Sequence, residues 1–300
     1  MKAGTFKPAL CWIAAIILLA GCAAVQEGLS ALEKSDSGAG AVVKTAQALR
    51  KSFSEITEEE EYYIGRAVAA LILSRYKIYE DEKLTAYVNR VGKAVAVHSH
   101  RPETYAGYHF LILEAGEVNA LAAPGGFIFV TTGLLKRCAN EDVLAGILAH
   151  EIGHVSAKHG LQAIKKSRLI DAFKIIGEQA GKRYGPGELA QLTGIFENVL
   201  GDITEKLIER GYDRKCEYEA DRLGVRFTAG TGYSPSGLAD FLKALSGITV
   251  EGSAKGWFKT HPAPQERLAQ VEAEIHKLGP VPSIQEVRTS RFREAVSGLK

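Results

Sequence analysis

The sequence predicts an α+β fold that is rich in helix and contains one small mixed sheet. Most of the chain repeats its apolar residues at helical spacing, which favours amphipathic helices. Two short regions instead consist of apolar, β-favouring residues separated by the turn sequence APGG. With 300 residues, of which 46% are hydrophobic, the chain is long enough to bury a sizeable core.

The predicted elements can be followed along the chain. Thr57 and Glu60 have the spacing of a capping box at the start of the first helix, and Asn140 is the expected N-cap of a later one. The composition of residues 110–113 and 127–130 favours strands. Helices are expected at residues 57–76, 81–98, 140–160, 214–229, 235–245 and 261–278, with two further amphipathic patterns between 161 and 210.

The first 21 residues have the features of a secretory signal peptide. Lys2 and Lys7 precede the run ALCWIAAIILLA, which is short for a membrane span of about 20 residues. The run leads into LAGC, which resembles the bacterial lipobox. That resemblance implies cleavage before Cys22 and lipidation of Cys22, and Ala23 in the next position favours the outer membrane of a Gram-negative cell. An uncleaved membrane anchor is the alternative.

One domain is expected to follow a tether. Residues 22–52 are rich in Ala, Gly, Ser and Lys, which is typical of a flexible linker. The domain is expected at residues 53–279, with a C-terminal tail at 280–300 and a helical insertion at 161–210 that covers the active site. Without residues 1–21 the chain has equal numbers of basic and acidic residues, so its charge gives no basis for nucleic-acid binding.

Two cysteines remain once the signal peptide and the lipidated residue are set aside. Cys138 and Cys216 would lie in an oxidising compartment, where a disulfide between them is possible. Two separate buried thiols are the alternative, because the sequence gives no distance between the two residues.

The stretch LAHEIGHVSAKHG, residues 148–160, carries the strongest chemical signal. His150 and His154 are four apart on a helix, so both imidazoles can reach one metal ion. Glu151 lies next to that point and suits a base that takes a proton from water. This is the H-E-x-x-H pattern of zinc proteases. A helix whose two histidines face solvent or each other is the alternative.

His159 is not expected to be the third ligand. The pattern with a third histidine downstream requires a glycine turn, and no glycine separates His154 from His159. His159 is expected to cap the last helical turn or to support the site from outside.

The segment RKCEYEADRLG, residues 214–224, supplies better candidates. Glu217 and Asp221 share one helix face, whereas Glu219 points away from it. One of the two carboxylates can complete a metal site while the other accepts a hydrogen bond from a liganding histidine. The spacing does not decide between a ligand and an ordinary exposed acidic face.

Four blocks of sequence together resemble the M48 metallopeptidases. They occur in the order and at roughly the separations seen in that family, between about Glu55 and Leu278. The blocks are NALAAPGGFIFVTTGLL, LAHEIGHVSAKH, CEYEADRLG and THPAPQERL. The resemblance implies a zincin-like metallopeptidase domain with one Zn²⁺ per chain, in which the edge strand of the small sheet lines the active site.

The resemblance also implies roles for individual residues. It assigns Glu217 as the third zinc ligand and Asp221 to the layer behind the ligands. His261 resembles a histidine that either stabilises the oxyanion or occupies the open metal position, and Arg267 would be its structural or oxyanion-side partner. The substrate backbone would add as a strand to the edge formed by Asn119, Ala120, Leu121 and Ala122. An interior strand is the alternative for that segment.

The expected function is that of a zinc endopeptidase tethered by lipid to the outer membrane and facing the periplasm. The family implies unfolded or misassembled envelope proteins as substrates. Members embedded in membranes carry transmembrane helices near the zinc motif, and the absence of such segments here argues against prenylated or membrane-embedded substrates. One alternative is a chaperone-like assembly factor whose zinc site is closed by His261, and another is a structural zinc site that makes no use of Glu151.

Overall fold

The computed structural model describes residues 56–162, 201, 205–247 and 257–299. The signal peptide, Cys22, the tether and most of the insertion lie outside these ranges. The helices are α1 (Glu58–Arg75), α2 (Glu82–Ala96), α3 (Thr132–Leu135), α4 (Glu141–Ser156), α5 (His159–Gln162), α6 (Arg214–Thr231), α7 (Ser236–Ser246), α8 (Trp257–Thr260), α9 (Pro264–Leu278) and α10 (Glu286–Val296). The strands are β1 (His109–Leu113), β2 (Ala120–Ala123) and β3 (Phe127–Thr131), and a π-helical turn covers Glu205–Arg210.

The small mixed sheet is confirmed. β3 is the central strand, with β1 parallel to it on one side and β2 antiparallel on the other. The register pairs His109 with Phe127 and Ala120 with Val130. β2 is therefore an edge strand, and not an interior one, of this sheet.

The turn between β2 and β3 depends on glycine. Gly125 and Gly126 have φ values of 73° and 96°, a region that L-residues with a Cβ seldom adopt. A Cβ on Gly125 would also come within 2.9 Å of the Tyr62 Cα in α1. The sequence PGG thus lets α1 pack directly over the end of β2.

The helix that carries the H-E-x-x-H residues begins as predicted but ends early. The Asn140 side chain accepts a hydrogen bond from the Val143 backbone N–H at 2.9 Å, which confirms it as the N-cap. α4 stops at Ser156, and Lys158 adopts a φ of 56° before the chain enters the short α5. The prediction of one helix that ends just before Gly160 was therefore wrong.

Two glycines let α4 and α6 approach each other closely. A Cβ on Gly153 would lie 3.0 Å from the Ala220 carbonyl oxygen, and one on Gly224 would lie 3.0 Å from the His150 backbone nitrogen. Every residue of α4 from Glu141 to Val155 is buried, so this helix forms the centre of the core. Close backbone contact brings the acidic residues of α6 opposite the histidines of α4.

The tail predicted after residue 279 contains a helix that packs on the domain. Phe292 of α10 is fully buried among core residues. Arg291 of α10 forms hydrogen bonds to the Glu141 carboxylate, and Arg288 lies 3.1 Å from an Asp142 carboxylate oxygen. The tail is thereby fixed to the first turn of α4. Across the described part of the chain, no helix combines the length and the apolar character needed to cross a membrane.

The possible disulfide is not formed. Cys138 and Cys216 are both thiols. The Cys138 thiol lies in the hydrophobic core and donates to the Leu134 carbonyl oxygen at 3.5 Å, whereas Cys216 lies in the first turn of α6. Cys138 belongs to the connection between α3 and α4, and the alternative of two separate thiols describes the structure.

Candidate metal centre

α4 directs two imidazole rings at one point in the protein interior. The Nε2 atoms of His150 and His154 lie 3.1 Å apart, and both side chains are almost completely buried. Glu151 is also buried and lies between these histidines in the sequence. The helical spacing predicted from the sequence therefore produces convergent ring nitrogens.

α6 adds a carboxylate to the same point. Glu217 Oε1 lies 3.4 Å from His154 Nε2, and Glu217 Oε2 lies 3.6 Å from His150 Nε2. The Glu217 side chain is fully buried. Its position opposite both histidines follows from the close packing of α6 on α4 at the two glycines.

A third imidazole comes from the segment after α8. His261 Nε2 lies 3.8 Å from Glu217 Oε2 and 3.9 Å from Glu151 Oε1. One ligand atom from each of His150, His154, Glu217 and His261 lies within 4.8 Å of all the others, a spacing that could hold a metal ion. His261 is thus part of the possible ligand set and closes the side of the centre next to Glu151.

The chemistry of these residues fits a bound cation. Among the residues that the structure describes, both Glu217 carboxylate oxygens and Glu151 Oε1 are buried without a hydrogen-bond partner. Burying a carboxylate oxygen costs free energy unless a cation or a hydrogen-bond donor contacts it. Burial, followed by the charge of Glu217, raises the pKa of Glu151 to about 8, and burial lowers the pKa of His154 to about 3. Neutral imidazoles and a carboxylate are the donors that zinc prefers.

Asp221 and Arg267 support His150 from behind. The His150 Nδ1 lies 2.9 Å from Asp221 Oδ1, so an N–H on Nδ1 donates to this carboxylate and leaves Nε2 available to a metal. Arg267 is fully buried and donates to both oxygens of Asp221, at 2.9 and 2.6 Å. Arg267 Nη1 also lies 3.6 Å from Glu217 Oε2, and its Nη2 lies 3.4 Å from His150 Nε2, so the guanidinium contacts two of the possible ligands as well as Asp221.

The Trp257 ring of α8 stacks on the His261 ring. No sequence pattern had indicated this role. The two rings are parallel, with centroids 3.8 Å apart and planes inclined by 6°. The Trp257 backbone N–H donates to the Val118 carbonyl oxygen at 2.7 Å, just before β2. The same residue therefore connects His261 to the edge of the sheet.

The predicted edge strand reaches the metal centre. Ala120, Leu121 and Ala122 line a cleft together with Glu151 and His154. The Thr131 backbone N–H donates to the Asn119 carbonyl oxygen, so residues 119, 121 and 123 pair with β3 and Ala120 and Ala122 direct their polar groups outward. Asn119 Oδ1 accepts from the Ala120 N–H and the Tyr212 hydroxyl donates to the Ala122 carbonyl oxygen, so the Ala120 carbonyl and the Ala122 N–H are the outward groups that another strand could meet directly.

Residues just before α6 cover part of this cleft. Leu207 of the π-helical turn is buried there, and the Tyr212 hydroxyl donates to the Ala122 carbonyl oxygen at 3.4 Å. The Tyr212 ring also stacks on His154, with centroids 4.4 Å apart. Tyr212, which lies shortly before the acidic motif of α6, was not predicted as a site residue. Leu207 belongs to the insertion expected to cover the active site, most of which lies outside the described residues.

Comparison with known proteins agrees with this geometry. The chain is 26% identical over 236 residues to the beta-barrel assembly-enhancing protease of Escherichia coli (strain K12), covering 76% of this chain and 46% of that protein. It is 28% identical over 190 residues to metalloprotease LoiP of E. coli (strain K12), covering 63% of this chain and 68% of that protein. It is 24% identical over 231 residues to the mitochondrial metalloendopeptidase OMA1 of Schizosaccharomyces pombe, covering 74% of this chain and 63% of that protein.

The chain spans about half the length of the beta-barrel assembly-enhancing proteases that it matches. The profile of peptidase family M48 matches residues 82–275, a range that includes α4, α6, His261 and Arg267. The resemblance seen in the four sequence blocks is confirmed, and the protein belongs to peptidase family M48, a family of metallopeptidases.

Proposed function

We propose that this protein is a zinc-dependent endopeptidase. The observation that carries the proposal is the position of Glu151, a buried carboxylate whose Oε1 has no hydrogen-bond partner among the described residues and which lines a cleft with a strand edge. A purely structural metal site would have no use for such a group. His150, His154 and Glu217 would hold the zinc, which when bound would supply a Lewis acid that polarises a carbonyl and acidifies water.

Glu151 would act as the general base and then as the general acid. It accepts a proton from the attacking water while the water oxygen bonds to the peptide carbonyl carbon. It then delivers this proton to the amine nitrogen as the C–N bond breaks. The raised pKa of Glu151, caused first by burial, supports a group that exchanges a proton near neutral pH.

The outer edge of β2 would bind the substrate backbone. Ala120 and Ala122 have outward-directed backbone groups, and an extended polypeptide would add to this edge as a further strand by displacing Asn119 Oδ1 from the Ala120 N–H and the Tyr212 hydroxyl from the Ala122 carbonyl oxygen. This mode recognises main chain more than side chains, which suits unfolded segments. Asn119 would orient the start of the edge, because its side-chain oxygen accepts from the Ala120 N–H at 3.0 Å.

His261 would occupy the fourth metal position in the resting protein. Its Nε2 lies within 3.9 Å of both Glu151 and Glu217, where an incoming water or carbonyl would have to enter. We infer that His261 moves aside when substrate binds and can then donate to the oxyanion. A permanently closed, chaperone-like site is the competing function, and the unpartnered Glu151 favours the peptidase.

The cellular setting completes the proposal. Lipidation of Cys22 would attach the protein to the outer membrane, facing the periplasm, and its substrates would be unfolded or misassembled envelope proteins. The similarity to a protein named beta-barrel assembly-enhancing protease supports an envelope role.

The decisive comparison uses the full chain purified in detergent, as wild type and as Glu151→Gln. Both proteins are assayed for bound zinc and for cleavage of an unfolded, fluorescently labelled casein. We expect equal zinc in both and a loss of cleavage of at least about 100-fold in the variant, in the range for removal of an acid–base residue. Equal cleavage by both proteins would contradict the proposal.

A further inference from the structure

We propose that the buried His159 and the partly exposed Glu219 form a relay that orients His154 as a metal ligand. His154 Nδ1, the ring nitrogen directed away from the metal centre, lies 2.9 Å from His159 Nδ1. On its other side, His159 Nε2 lies 3.5 Å from Glu219 Oε2. His159 and Glu219 are thus positioning residues that act through His154. The inference rests on the proposed zinc site.

The direction of the hydrogen bonds follows from the ligand role of His154. If its Nε2 binds the metal, its Nδ1 carries a hydrogen and donates to His159 Nδ1. His159 Nδ1 must then be the acceptor, so the hydrogen of this ring is on Nε2. That hydrogen faces the Glu219 carboxylate, which can only accept. One tautomer of each ring therefore directs both hydrogens along the relay, with the 3.5 Å contact to Glu219 at ion-pair distance and His159 Nε2 without a hydrogen-bond partner among the described residues.

The backbone shows that the position of His159 is specifically built. His159 is only 1% exposed although it lies just beyond α4. Its neighbour Lys158 has a φ of 56°, the one non-glycine positive φ among the described residues. This costly conformation breaks the helix and turns the His159 ring back toward His154. Tyr212 packs against both rings, with centroid distances of 4.4 Å to His154 and 5.8 Å to His159.

The relay gives the two histidines of α4 equivalent support. His150 donates directly to Asp221, whereas His154 reaches Glu219 through His159. The acids of α6 occupy every second position of the motif, at Glu217, Glu219 and Asp221. All three acids of CEYEAD therefore serve one centre, the first as a ligand and the other two as partners of ligands. Glu219 points away from the metal, as expected, but toward His159.

The test measures the zinc dissociation constant of the full chain by competition with a fluorescent chelator. His159→Phe keeps the ring volume and removes the acceptor, so we expect zinc binding to weaken about 10- to 100-fold. His159→Gln retains an acceptor and should recover part of that loss. Glu219→Gln should weaken binding less than His159→Phe does. The control Glu272→Gln changes an exposed acid on α9 that pairs with Lys243 and should leave zinc binding unchanged.

A double variant separates the relay from two independent effects. Because Glu219 acts only through His159, adding Glu219→Gln to His159→Phe should not weaken zinc binding further. The thermal unfolding of the metal-free single variants should match wild type within a few degrees, which excludes a general loss of folding. Zinc affinity within twofold of wild type for His159→Phe, or additive losses in the double variant, would overturn the relay. Failure of wild type itself to bind zinc would overturn the proposed function and the relay with it.

Discussion

The Trp257 ring lies flat against the His261 ring, with 3.8 Å between centroids and 6° between planes. Trp257 is fully buried, while His261 reaches the metal centre. The stacking restricts the rotation of a side chain that would have to leave the fourth metal position before substrate could enter. We therefore expect Trp257 to control how readily the proposed metal centre opens.

Substitution of Trp257 by Leu should loosen this restraint. We expect basal cleavage of an unfolded protein to rise several-fold, because His261 spends more time away from the centre. Stability should fall by about 3 kcal/mol, as for other large-to-small core changes. Cleavage rates and denaturant unfolding of the full chain give the two values. Trp257→Leu with unchanged basal cleavage in folded protein would show that the stacking does not control opening.

Removal of the His261 side chain tests the same idea without disturbing the core. His261→Ala should increase basal cleavage if the imidazole blocks the fourth position, while zinc remains bound to His150, His154 and Glu217. The measurement is the rate of casein cleavage per bound zinc. A loss of cleavage with zinc retained would contradict blocking as the main role of His261 and would mean that its donation to the oxyanion dominates.

Two glycines of α6 form a matched pair. A Cβ on Gly224 would lie 3.0 Å from the His150 backbone nitrogen, whereas a Cβ on Gly230 would meet only the His98 side chain at 3.5 Å. Gly224→Ala should push α6 from α4, weaken zinc binding and lower stability by about 1–3 kcal/mol. Gly230→Ala should leave zinc binding unchanged and raise stability by up to about 1 kcal/mol through helix propensity. Equal effects of the two changes would contradict this account of the packing.

Because of the buried Glu141, the stability of the protein should depend on pH in the acid range. Burial alone would raise the pKa of Glu141, but hydrogen bonds from Arg291, Tyr87 and Tyr233 hold it below its ordinary value. A carboxyl with a lowered folded-state pKa stabilises the protein above its unfolded pKa, and this contribution is lost as pH falls through the folded pKa. Glu141→Gln should therefore lower stability by about 3 kcal/mol at neutral pH.

The difference between wild type and Glu141→Gln should shrink as the pH falls from about 5 to about 3. Urea unfolding of both proteins at a series of pH values measures this difference in the free energy of unfolding. Asp240→Asn, which removes an acid of α7 outside this network, is the control and should not reproduce the pH dependence. A wild-type advantage that stays constant down to pH 3 would show that Glu141 is not held ionised by its partners.

Local sequence patterns were sufficient to predict the two liganding histidines of α4 and the pair of acids in α6 from which a third ligand could come. The i, i+4 spacing of His150 and His154 and the acidic motif of α6 each lie within one helix, so periodicity alone orients them. The choice of Glu217 over Asp221 required the family resemblance, and the structure explains it by the glycines that set the α4–α6 contact.

The features of the fold and the site that were not predicted depend on contacts between residues distant in the sequence. No glycine or proline between Ser156 and His159 predicts the break at Lys158, after which the His159 ring packs against Tyr212. α10 buries only Thr289 and Phe292, so its hydrophobic pattern is weak, and its position comes from arginines that reach acids about 150 residues earlier. Trp257 and Tyr212 likewise become site residues only when the chain is folded.

The central claim is that His150, His154, Glu217 and His261 enclose one zinc ion. Zinc K-edge X-ray absorption of the full chain, with metal content measured on the same sample, tests it most directly. We predict one zinc per chain with only nitrogen and oxygen ligands at about 2.0–2.2 Å. We also predict the loss of one imidazole from the coordination shell of His261→Ala. Less than about half a zinc in folded, zinc-supplemented protein, or an unchanged spectrum in His261→Ala, would contradict it.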